Sequence, residues 1–86
     1  MADPIVKNKV VARLRKIAMA RGTTGRDYPL VRADDLGHVA EILGLSQYSN
    51  SKLGDALRSL HNAGTIRCAR PRVSRDDHRP YELYLK

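Results

Sequence analysis

Up to Gly64 the apolar residues of this chain recur every three or four positions, and beyond it they recur every second position. That change of period constrains the fold more than any other feature. It demands helices first and an extended pair last. Val6, Val10, Leu14 and Ile17 make one helical face. Leu36, Val39, Ala40 and Leu43 make a second. Leu53, Leu57 and Leu60, with Ala56 at the edge, make a third. After Gly64, Thr65–Ala69 and Tyr81–Leu85 alternate, with Ile66 and Cys68 inward on one strand and Tyr81, Leu83 and Leu85 inward on the other.

Start and stop signals set the boundaries. Asp3 before Pro4 opens helix one, and Gly22 stops it, so the helix is expected over residues 4–21. Asp34 is the expected cap of helix two, residues 35–43, with Gly44 ending it and Leu45 making an apolar contact past the end. Ser49, with Ser46 as rival, caps helix three, residues 50–63, which Gly64 ends. Between helices one and two, Tyr28–Arg32 reads as a short extended piece that Pro29 confines to an edge. Thr23–Asp27 is the best linker candidate. Pro80 is expected to keep the last strand at an edge as well. The fold class is therefore α+β, in one domain over residues 1–86.

Composition narrows the function. The chain has 86 residues, and 42% of them are apolar. No apolar run approaches the length that spans a bilayer, and no basic stretch followed by an apolar block marks a secretory signal. The single cysteine, Cys68, rules out an internal disulfide framework and fits a reducing, cytoplasmic setting. Sixteen Lys and Arg against nine Asp and Glu give a net charge of +7. Nucleic acid is the commonest partner for such a balance, and solubility alone is the competing explanation. The charge is unevenly placed. Residues 2–22 carry six bases and one acid, residues 33–45 three acids and no Lys or Arg, and residues 65–86 six bases and three acids. Four tyrosines without Phe or Trp argue against modules that stack bases on an aromatic platform.

Three segments in this order resemble a known family. They are Asp35–Ser46 (DLGHVAEILGLS), Leu57–Ile66 (LRSLHNAGTI) and Tyr81–Leu83 (YEL). From Asp34 to Leu85 the chain resembles the winged helix-turn-helix domain of bacterial and archaeal transcription regulators. It is similar to the arsenical-resistance and multiple-antibiotic-resistance repressor superfamily. The most telling piece is Leu57-x-x-Leu60-x-x-Ala63-Gly64-x-Ile66, the pattern of a recognition helix running into its wing. Two features depart from the pattern: the link between helices two and three is longer than a tight turn, and Gly54 lies inside helix three. The resemblance implies three helices, a β-hairpin wing over residues 65–85, and room for a short third strand after helix one.

It also implies a mechanism. Helix three would lie in the major groove of double-stranded DNA, where base edges present a readable pattern of donors and acceptors. Ser51, Lys52, Asp55, Arg58 and Ser59 are the candidate contacts, with Arg58 suited to a guanine edge and Asp55 to cytosine. The basic loop would bring Arg70, Arg72, Arg75 and Arg79 to phosphates or the minor groove. The same residues also suit ordinary solvated surface. The expected function is sequence-specific duplex binding by a small transcription regulator, associated with the nucleoid when bound. Homodimerisation would double its contacts. A winged-helix module that docks another protein is the alternative, as is nonspecific architectural binding to DNA. No cofactor, metal, membrane or small-molecule effector is expected. Asp76, Asp77 and His78 read as a polar turn, His38 and His61 as structural histidines, and Cys68 as a small buried hydrophobe. No acid–base or nucleophile set converges, so no enzyme activity is expected.

Overall fold

A computed structural model describes residues 2–68 and 80–86. The chain runs α1 (Pro4–Arg21), β1 (Val31–Ala33), α2 (Leu36–Leu43), α3 (Asn50–Asn62), β2 (Ile66–Cys68) and β3 (Tyr81–Leu85). This is an α+β arrangement of three helices and an antiparallel three-stranded sheet of order β1-β3-β2.

Each helix starts on a side-chain oxygen that satisfies an otherwise orphaned backbone N–H. Asp3 accepts from the Ile5 N–H at 2.9 Å, Asp35 from His38 at 2.8 Å, and Ser49 from Lys52 at 3.2 Å. The cap of α2 is thus Asp35 rather than the expected Asp34, and the helix begins at Leu36. Asp35 has the extended backbone of a cap, and only it stands three residues before the N–H it accepts from. Gly44 closes α2 in the left-handed region, with φ 70°. The Leu45 N–H then reaches back to the Ala40 carbonyl at 2.8 Å, and the Leu45 side chain is wholly buried. α3 stops at Asn62, one residue short of expectation, with Ala63 as its cap.

One apolar cluster draws on every element. α1 contributes Val6, Val10, Leu14 and Ala18. Ala18 takes the place expected for Ile17, which is only partly buried. A helix turns about 100° per residue, so steps of four drift around its axis. The buried stripe of α1 therefore winds, and one long helix meets α3 near its start and α2 near its end. α2 contributes Val39, Ala40 and Leu43, with Leu36 partly buried; α3 contributes Leu53, Ala56, Leu57 and Leu60.

The sheet closes the cluster with Leu30, Val31, Ala33, Ile66, Cys68, Tyr81 and Leu83. Its strands differ from expectation in two ways. The first covers Val31–Ala33, later than Tyr28–Arg32, because the ladder begins where Leu30 N–H meets the Leu83 carbonyl at 2.8 Å. And β3 is the central strand rather than an edge, pairing Val31 with Leu83 on one side and Cys68 with Leu83 on the other. Pro80 is compatible with this because it precedes the first residue of the strand and withholds no N–H from the ladder. The linker candidate is also integrated: Gly25 is buried at φ 75°, and its carbonyl accepts from the Leu85 N–H at 2.9 Å.

His61 has a structural task. Its Nδ1 accepts the Cys68 N–H at 3.1 Å, tying the last turn of α3 to β2. An accepting Nδ1 puts the ring proton on Nε2.

Candidate nucleic-acid interface

The outward surface of α3 is set by what covers its other sides. Its apolar stripe faces the core, and α1 lies along one flank. Two contacts fix that flank. Lys52 Nζ lies 3.8 Å from Asp3 Oδ2, and Lys7 Nζ donates to Ser59 Oγ at 3.4 Å. Lys52 and Ser59 therefore look toward α1. The positions farthest from the buried stripe are Ser51, Asp55, Arg58 and Asn62, spaced four, three and four apart on one helical line. Ser51, Arg58 and Asn62 are exposed, and Asp55 is half-buried.

The structure thus brings Ser51, Asp55 and Arg58 onto one outward line. Lys52 lies beside it, exposed but leaning on Asp3, and Ser59 is half-buried against α1. Asn62 completes the line, although it was not among the candidate contacts. Because Ala56 is buried as fully as the leucines of the stripe, the outward direction turns toward Ser51 and Arg58 and away from Lys52 and Ser59. Arg70, Arg72, Arg75 and Arg79, and the Asp76–His78 turn, lie outside the described residues.

The bases of α1 divide by task. Lys9 Nζ sits 5.6 Å from the centre of the Tyr48 ring, in the link between α2 and α3. The guanidinium of Arg13 lies beside Gly44, where the carbonyl end of α2 concentrates partial negative charge. α2 has no basic residue of its own in its last turn, so Arg13 supplies that charge from a neighbouring helix. Arg21 donates to the Pro29 carbonyl at 3.4 Å. Arg15 and Lys16 are exposed, with Lys16 at the rim of the groove between α1 and α2. Much of the positive charge on α1 therefore serves local packing as well as the long-range potential.

Among the described residues no group of three His, Cys, Asp or Glu could hold a metal ion, and no helix is long and apolar enough to cross a membrane. No protein-family model, curated protein or solved structure matches this chain.

Proposed function

We propose that this chain is a winged helix-turn-helix domain that binds double-stranded DNA in a sequence-specific manner, as a small transcription regulator. The observation that carries the reading is the setting of α3. It presents the polar line Ser51–Asp55–Arg58–Asn62 on a rod about 20 Å long, braced by α1 and α2, and it runs directly into an antiparallel strand pair. The element order and the strand order β1-β3-β2 suit a winged helix, with β2 and β3 leading into the basic loop. In this reading the line enters the major groove. Arg58 donates to a guanine edge, Asp55 accepts from cytosine, and Ser51 adapts to either. Lys52 and Ser59 reach phosphate only by leaving their α1 partners. Arg70, Arg72, Arg75 and Arg79 supply backbone or minor-groove contacts.

One observation favours a protein partner instead. Met19 and Ile42 are 83% and 40% exposed, and Ile42 rims a groove of about 300 Å³ between α1 and α2. A docking module would use that side.

Selection from random duplexes, followed by anisotropy titration, tests the proposal. Arg58→Ala should relax preference at one base position and cost about 1–3 kcal/mol on the best site. Arg72→Ala with Arg75→Ala should weaken all duplexes alike and flatten the salt dependence. Duplex affinity indifferent to both sets of changes would remove the DNA reading and leave the docking module.

A further inference from the structure

The sheet's outer face holds a cluster of cations that duplex reading by α3 does not use. Side chains alternate across a strand, so with Ile66, Cys68, Tyr81 and Leu83 in the core, Arg67, Glu82 and Tyr84 lie on the opposite face. The register sets Arg67 directly opposite Tyr84, and the guanidinium carbon lies 4.0 Å from the centre of the ring. That is a stacked cation–π pair, and stacking holds the guanidinium flat. Glu82 stands opposite Arg32, one strand over.

Two backbone contacts bring further cations to the stacked pair. The Leu85 N–H donates to the Gly25 carbonyl at 2.9 Å, which sets Arg26 beside the end of β3. The Lys86 N–H donates to the Thr65 carbonyl at 3.4 Å. Arg26, Arg67, Tyr84, Leu85 and Lys86 line a hollow of about 300 Å³ that is open to one side. Three cationic residues line it, and among the described residues no Asp or Glu does. Gathering like charges is unfavourable unless an anion joins them. A flat guanidinium fork with a second arginine nearby suits the tetrahedral oxygens of phosphate.

We propose that this hollow is a phosphate-binding site that grips the backbone of a nucleic-acid strand. Its open side lets a chain pass through, where a closed cavity would suit a small free anion. The identity of the ligand rests on the nucleic-acid reading above; the site itself does not depend on α3 being the reader.

The test uses the full chain, with pyrophosphate and a single-stranded oligonucleotide of about twelve nucleotides as probes. At constant ionic strength, pyrophosphate should shift the Nε–H signals of Arg26 and Arg67 together and saturably, and the oligonucleotide should displace it. Arg26→Gln with Arg67→Gln should weaken both probes by about tenfold or more, equivalent to about 1.4 kcal/mol. Arg67→Lys, which keeps the charge but loses the planar fork, should restore less than half of that loss. Arg58→Ala should leave the shifts at this site unchanged, so a failure of the α3 reading and a failure here are separable. Shifts spread evenly over all arginines without saturation would overturn the site. So would a double variant that binds like the parent while keeping its melting temperature. Saturable pyrophosphate binding that the oligonucleotide does not displace would overturn the nucleic-acid assignment in favour of a small free anion.

Discussion

Two glycines of this chain answer to different physics, and substituting each by alanine separates them. Gly54 sits mid-helix in α3, where glycine costs up to about 1 kcal/mol relative to alanine. A Cβ there would meet only one atom of note, Leu36 Cδ1, at 3.3 Å. Leu36 is half-buried, and its tip can swing outward by the few tenths of an ångström required. Gly54→Ala is therefore expected to stabilise the fold by up to about 1 kcal/mol, and chemical denaturation would read the gain. Gly25 is the opposite case. Its φ of 75° disfavours any side chain, and a Cβ would lie 2.7 Å from Leu30 Cδ1. Leu30 is buried and cannot retreat. Gly25→Ala should cost about 1–3 kcal/mol from backbone strain, with steric displacement adding to it. A loss of stability in Gly54→Ala would show that Leu36 is held too firmly to give way.

At the scale of elements, the ends of the helices are local events and the pairing of the strands is not. Ser49 illustrates the first. Its hydroxyl accepts the Lys52 N–H, and its carbonyl accepts the Leu53 N–H at 3.0 Å, so it both starts α3 and orients its first turn. Ser49→Ala should lower stability by about 1 kcal/mol, and hydrogen exchange should quicken first at Ser51–Leu53. Such caps were legible in the sequence because oxygen and N–H lie two or three residues apart. The starts of α1 and α3 were readable for that reason, and the end of α1 because Gly22 takes the left-handed conformation that stops a helix. At the Asp34–Asp35 pair the sequence pointed to Asp34, and the backbone conformation puts the cap one residue later, at Asp35. Strand order needs information from distant segments. Pro80 signals an edge when read locally, yet β3 is central because β1 arrives from fifty residues earlier. The outward line of α3 was half legible for a similar cause. Periodicity placed the apolar stripe on Leu53, Leu57 and Leu60, but which flank α1 would cover depends on how two helices cross. That crossing leans Lys52 and Ser59 toward α1 and leaves Ser51 and Arg58 facing out.

At the scale of the whole molecule, a net charge of +7 on 86 residues acts on folding and on binding with opposite signs. In the folded state the exposed Lys9, Arg13 and Lys16 lie four and three positions apart on α1, and like charges so spaced repel by some tenths of a kcal/mol per pair. Counterbalancing contacts are few: among the described residues one ion pair, Lys52 with Asp3 at 3.8 Å, is partly exposed and contributes about 0–1 kcal/mol. The excess of positive charge sets self-repulsion against these contacts, and salt that screens it should favour the folded chain. Raising chloride from about 0.02 to 0.2 M is expected to raise the melting temperature by a few degrees, an effect of less than about 1 kcal/mol. Chloride is the right salt, because sulfate and phosphate strengthen apolar burial on their own account and phosphate would also fill the arginine hollow. Over the same range, binding to a duplex should weaken steeply, since every phosphate neutralised releases counterions that added salt opposes. The pair of slopes is diagnostic. Stability rising while duplex affinity falls places the excess charge at the service of a polyanion. A melting temperature that falls with chloride would mean that attractive pairs dominate, and the charge would then be part of what holds the fold together.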